Sequence, residues 1–146
     1  MRRRINEEQF DAFCVDCQEN RSTHCNVTFG TFVCARCAEE HEATFSPFQC
    51  YIKTLFDDAW DNFQINCVQN GGNKRFFEFL RTYGKEREPI NKKYTSSAAE
   101  FYRRQLCAQA KNIAFDEDPP AKDVKEFATR TYTKTGKFFS ETNEKY

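Results

Sequence analysis

Two cysteine pairs constrain this chain more than any other feature: Cys14-x2-Cys17 and, after a gap of sixteen residues, Cys34-x2-Cys37. A two-residue gap lets one tight turn present two thiolates from a single segment. Two such knuckles supply the four soft ligands that a tetrahedral zinc ion takes at about 2.3 Å. With all four positions held by protein, no open position is left for water, so a metal there holds structure and does not hydrolyse. The spacing points to Cys14, Cys17, Cys34 and Cys37 as ligands of a structural Zn2+. Three further potential ligands lie nearby. His24 and Cys25 read as mid-loop residues without knuckle geometry, and His41, one helical turn after Cys37, reads as a packed histidine or an outer partner of the site.

The other cysteines do not form a disulfide framework by this reading. Five of the eight crowd into residues 14–37, while Cys50, Cys67 and Cys107 are scattered. The opening Met1-Arg2-Arg3-Arg4 has no apolar stretch behind it and is unlike a secretory signal. No window approaches the ~20 apolar residues of a membrane span. An aromatic content of 16% excludes disorder throughout, because each ring buries roughly 150–250 Å². One compact domain with a short tail, in the cytoplasm or nucleus, is the expectation.

Zero net charge hides two poles. Residues 5–60 hold ten acids against three bases, and residues 71–115 hold ten bases against four acids. A nucleic-acid-reading finger draws most of its affinity from Lys and Arg on phosphates. The acidic finger half therefore argues against specific nucleic-acid binding. The basic half, with Lys74, Arg75, Arg81, Lys92, Lys93, Arg103 and Arg104, reads as a solvated face or one that meets an acidic partner or an anionic membrane.

Asn6 as cap, with Ile5 and Phe10 as a staple, predicts a short helix leading into Cys14. The β-branched and aromatic run Asn26–Val33 predicts one short strand bent at Gly30, and residues 35–44 one or two helical turns ended at Ser46-Pro47. Asp57 or Asp58 is placed to cap a helix carrying Trp60, Phe63 and Cys67, stopped at Gly71-Gly72. Asn73 starts the next, with Phe76, Phe77, Leu80 and Tyr83 at helical spacing. Ser97 and Glu100 form a capping box for a longer helix whose Phe101, Leu106 and Ile113 face inward.

These motifs together carry a resemblance. Cys14-Val-Asp-Cys17, then Asn26 to Val33 with Gly30 and Phe32, then Cys34-Ala-Arg-Cys37-Ala-Glu-Glu-His41, resemble the zinc-finger domain of GTPase-activating proteins for ADP-ribosylation factors, the Arf GAPs. Ile52 to Trp60 is similar to that family's strand and Asp-x-Trp segment, and Asn70 to Leu80 and Lys93 to Arg103 resemble its Golgi-type branch. The resemblance implies an α+β, helix-rich fold over residues 6–115, with a three-stranded antiparallel sheet beside the zinc finger and helices around it, and a polar tail over 116–146. The tail segment Val124 to Phe139 is faintly similar to the Thr/Ser-rich lipid-sensing segments of Golgi-type relatives.

The resemblance also implies a partner, a GTP-loaded Arf-family small GTPase, and a setting in vesicle traffic with coat proteins or the Golgi membrane surface. In the family, the residue directly after the histidine matching His41 is an arginine that enters the GTPase active site, where a guanidinium offsets charge developing on the phosphate oxygens. Here that position is Glu42, followed by Ala43-Thr44-Phe45 where the family has a small residue, Leu and Gly. Arg36 and Lys53 are the nearest bases that could substitute. Two functions stay open at this point: a divergent GTPase activator using another arginine or one given by a further partner, and a non-catalytic adaptor that binds a GTPase, coat component or membrane.

Overall fold

The computed structural model describes residues 9–57 and 59–122. The expected cap and staple at Asn6 and Ile5, residue 58 and the tail segment Val124 to Phe139 lie outside these. Among the described residues no helix is long and apolar enough to cross a membrane.

Three short strands, β1 (His24–Asn26), β2 (Thr31–Val33) and β3 (Ile52–Thr54), form an antiparallel sheet in the order β2-β1-β3. His24 faces Val33 on one side and Thr54 on the other. The single bent strand expected over 26–33 is instead the end of β1, a turn and β2 of a hairpin. The chain reverses between Val27 and Gly30, where the Gly30 N–H bonds the Val27 carbonyl at 3.1 Å. Gly30 has φ +64°, a left-handed conformation that glycine adopts without penalty. Apolar β-branched residues flank this turn on both sides, so composition alone does not separate one strand from two.

The same glycine is a point of close approach. A Cβ on Gly30 would lie 2.6 Å from the Cys67 carbonyl oxygen, and one on Gly71 would lie 2.8 Å from the Gly30 carbonyl oxygen. The hairpin turn is thereby seated directly on α2 (Asn62–Asn70), and Gly72 N–H bonds the Gly30 carbonyl at 2.8 Å.

Helix α1 (Ala35–Thr44) runs for ten residues, almost three turns and longer than expected. Helix α2 starts at Asp61 rather than Asp57. Asp61 Oδ1 accepts from Gln64 N at 2.8 Å while Gln64 Oε1 accepts from Asp61 N at 3.1 Å, a reciprocal cap that no other nearby aspartate can form because none has Gln or Glu three residues on. Trp60 therefore precedes the helix, and Phe63 is exposed.

Helix α3 (Asn73–Arg81) follows the two glycines as expected, and α4 (Ile90–Lys93) is a single turn. Helix α5 (Ser97–Lys111) is capped by Ser96, whose Oγ accepts from Ala99 N at 3.1 Å, not by the Ser97–Glu100 pair. Glu100 instead holds Arg103 at 2.6 Å. Left-handed Asn112 ends α5, which leaves Ile113 outside it and exposed. Phe29, Phe76, Leu80, Tyr94, Tyr102 and Leu106 form the centre of the main core, with Tyr94 stacked on Phe76 at 5.5 Å and Phe29 edge-on to both. This core joins the hairpin and α1 to α3 and α5.

Candidate metal and partner site

The chain builds its first knuckle by looping back on itself. Cys14 N–H bonds the Asn20 carbonyl at 2.8 Å, Gln18 N–H bonds the Cys14 carbonyl at 2.9 Å, and Gln18 takes a left-handed φ of 60°. The second knuckle is the start of α1. Cys34 is its N-cap, with Sγ accepting from Cys37 N at 3.4 Å. The hairpin thus delivers one cysteine to the helix end, and the first turn of that helix delivers the next.

The four sulfurs of Cys14, Cys17, Cys34 and Cys37 all lie within 4.8 Å of one another, and those of Cys17 and Cys34 are 3.9 Å apart. A tetrahedron with ~2.3 Å zinc–sulfur bonds has edges of about 3.8 Å, so the spacing fits such an ion. Electrostatics agrees with the geometry. Burial pushes the Cys14 thiol up to about 11, and burial reinforced by the Cys14 sulfur pushes Cys37 higher still. At Cys34 burial is outweighed by donors from the Cys37 backbone and the Asn20 amide, and the thiol falls to about 7. Four sulfurs this close ionise together only around a cation, and the donor N–H groups are those that steady a metal-bound thiolate.

His24 and Cys25 are not in the cluster. Both belong to β1 rather than to a loop; His24 Nδ1 lies 2.8 Å from Thr23 Oγ1 and Cys25 is fully buried. His41 is packed and partnered. Its Nε2 lies 2.7 Å from Asp16 Oδ2, its Nδ1 lies 3.1 Å from the Asn26 amide nitrogen, and its ring is edge-on to Tyr94 at 4.6 Å.

Asp16, between the first two cysteines, is the residue that motif spacing did not single out. Its side chain is only 4% exposed. Oδ2 takes the His41 contact, while Oδ1 accepts from Lys93 Nζ and Tyr94 Oη, each at 2.8 Å. Burial alone would raise this carboxyl, but the hydrogen bond from His41 and the Lys93 ammonium outweigh it and hold it below the ordinary carboxylate range. The expectation for Lys93 is corrected here: it is not on a solvated basic face but 2% exposed and bound to Asp16. A buried ammonium needs a counter-charge, and the only sequence sign of one was an acid 77 residues earlier.

This hub orients α1. With His41 drawn into the core and Phe45 buried after it, the residues between them, Glu42, Ala43 and Thr44, face outward. Lys53, one candidate substitute cation, is buried and held: Nζ donates to the Ala59 carbonyl at 2.8 Å and Asp57 Oδ2 at 3.2 Å and lies over the Trp60 ring. Arg36, the other, is exposed beside the sulfurs of Cys37, Cys17 and Cys34, whose charge raises its pKa. A zinc tetrathiolate carries two net negative charges, and a guanidinium in that place offsets one of them.

Residues 1–113 match the family described as putative GTPase activating protein for Arf. ADP-ribosylation factor GTPase-activating protein 3 of Bos taurus is 30% identical over 108 residues, covering 74% of this chain and 21% of that protein. Stromal membrane-associated protein 1 of Mus musculus is 28% identical over 97 residues, covering 66% and 21%. The chain thus matches about a fifth of the length of these relatives. Among solved structures, a putative GTPase activating protein for ADP ribosylation factor from Cryptosporidium parvum shares the fold, with a TM-score of 0.50 at 22% identity over 73% of this chain and 87% of that one.

Proposed function

The chain belongs to the family of GTPase-activating proteins for Arf, and from that premise we propose that it regulates a GTP-loaded Arf-type GTPase by binding it while offering Glu42 where the family offers an arginine. Cys14, Cys17, Cys34 and Cys37 hold a structural Zn2+ that ties the hairpin to α1. The observation that carries the reading is the exposure of Glu42 directly after the core-anchored His41. A side chain at that point meets a docked partner, and its sign decides the consequence. Negative charge builds on the transferring phosphoryl group, so a carboxylate opposes the transition state that a guanidinium stabilises. The protein on its own then contributes binding, with little stimulation of hydrolysis. The similarity of residues 70–80 and 93–103 to the Golgi-type branch favours vesicle traffic at Golgi membranes as the setting, with coat proteins as further partners.

The test is single-turnover phosphate release from a GTP-loaded Arf-type GTPase at saturating protein, with binding followed separately by anisotropy of a fluorescent GTP analogue. The expected result is binding that favours the GTP-loaded form and a rate close to the intrinsic one. Glu42→Arg should raise the rate, but well short of the roughly 10³ to 10⁵ of a well-placed finger, since a misplacement of ~1 Å costs about 10²-fold and Thr44 and Phe45 alter the turn. Strong stimulation by the wild type that is lost in Arg36→Ala and unchanged in Glu42→Arg overturns the proposal and identifies a relocated catalytic cation.

A further inference from the structure

A groove of about 320 Å³ opens beside the first knuckle, and neither Glu42 nor a residue flanking it lines it. Its walls are the rings of Phe10, Phe13 and Phe77, and Cys14, Val15 and Asn73 also line it. No lining residue is acidic. Phe10 and Phe13 are 46% and 43% exposed. The groove is built rather than incidental. The side-chain amide of Asn73, 2% exposed, donates to the carbonyls of Phe10 and Phe13 at 3.2 and 2.8 Å, and Asp11 Oδ1 accepts from the Asn73 N–H at 2.9 Å. The backbone that carries the two rings is therefore held by α3 before anything binds, which lowers the ordering cost of binding.

Each ring carries a cation on its face. Lys74 lies 5.8 Å from the Phe10 centroid, Arg21 lies 5.2 Å from that of Phe13, and Arg87 lies 5.7 Å from that of Phe77. Lys53, Lys93, Arg103 and Arg104 each hold a carboxylate. Among the described residues no ion pair is made by Arg21, Lys74 or Arg87, and Arg87 also donates to the Gln18 amide oxygen at 3.4 Å. An apolar floor ringed by three cations that make no ion pair among the described residues is complementary to an apolar side chain flanked by carboxylates.

We propose that this groove is a docking site for an acidic peptide segment bearing aromatic side chains, distinct from the GTPase-facing end of α1. A groove favours an inserted side chain over a flat bilayer. A nucleic-acid strand needs a continuous basic track, whereas residues 5–60, which supply two of the three rings, hold ten acids against three bases.

The test uses the full chain with bound zinc and a fluorescein-labelled, end-blocked peptide Glu-Asp-Phe-Glu-Glu-Phe-Asp-Glu, followed by anisotropy. Two control peptides replace both Phe by Ala, or every acid by its amide. Saturable binding below ~1 mM, weakened at least about tenfold by either control, by Lys74→Glu with Arg87→Glu, and by Phe13→Ser, supports the site. Zinc content and urea midpoint confirm that each variant is folded. Absence of saturation by the wild type, equal affinity for the controls, or binding indifferent to all three substitutions overturns it. Groove-dependent binding to phosphatidylserine vesicles without peptide binding also overturns it and assigns the patch to lipid.

Discussion

Replacing Asp16 by asparagine tests whether a buried charge centre, in addition to the proposed zinc site, couples the knuckles to α1 and α4. Asp16 and Lys93 are 4% and 2% exposed, so Asp16→Asn leaves an ammonium in the core without a counter-charge. Removing one partner of a buried pair costs about 3–5 kcal/mol, the larger part being the stranded charge. Tyr94 Oη, 2.8 Å from Oδ1, can still donate to the asparagine oxygen, which places the expected loss at the lower end, ~3 kcal/mol. With a urea m-value of about 2 kcal/mol/M, the midpoint falls by roughly 1.5 M. Lys93→Met removes the ammonium while Asp16 keeps His41 and Tyr94, so that substitution costs less, about 1.5–3 kcal/mol for one charge-assisted hydrogen bond. The double variant strands no charge. Its loss should fall short of the sum of the singles by about 2 kcal/mol. The assay is urea unfolding followed by circular dichroism, with zinc content measured on each variant because Asp16 sits between Cys14 and Cys17. A midpoint shift under ~0.5 M for Asp16→Asn, or additive singles with zinc intact, would refute the reasoning.

Gly30→Ala combines a left-handed φ of 64° with a Cβ 2.6 Å from the rigid Cys67 carbonyl oxygen, so the hairpin must lift off α2; a loss of at least ~2 kcal/mol in the same unfolding assay is expected, larger than the ~1–2 kcal/mol of the conformation alone. Cys37→Ser should abolish stoichiometric zinc in protein purified without chelators and unfold the N-terminal half. In the wild type, zinc affinity should fall as pH is lowered from 8 to 6. The thiols of Cys14, pushed up to about 11, and Cys34, lowered to about 7, lose their protons only as pH rises, and protons compete with the metal throughout that window.

Local chemistry made much of this architecture legible. Two cysteine pairs with two-residue gaps place their sulfurs together because short turns dictate it, and the structure brings Cys14, Cys17, Cys34 and Cys37 within 4.8 Å. The glycines at 71 and 72 separate two helices where expected, and Phe76 and Leu80 face the core because helical periodicity puts them on one side. The misses share a cause. Asp57 and Asp61 are equally good caps by residue type, and only the glutamine at 64 distinguishes them. Ser96 and Ser97 compete in the same way. The hairpin at 27–30 escaped notice because nothing in a β-branched run marks the turn except one glycine.

What no local pattern could supply is the pairing of distant charges. Asp16, His41 and Lys93 read separately as a knuckle residue, a helical histidine and a surface lysine, and they meet because the hairpin, α1 and α4 converge on one core. Lys53 likewise reads as an available base in the sequence but is buried, held by Asp57 and the Ala59 carbonyl against the Trp60 ring. The sequence by itself determined the four-cysteine cluster and the charge at position 42, because each depends on residue identity and short spacing, while the helix-rich α+β class was legible through the family resemblance and not through any local pattern. The tertiary structure decided which charges are spent inside the fold and which face outward, since burial and solvation are properties of where chain segments meet.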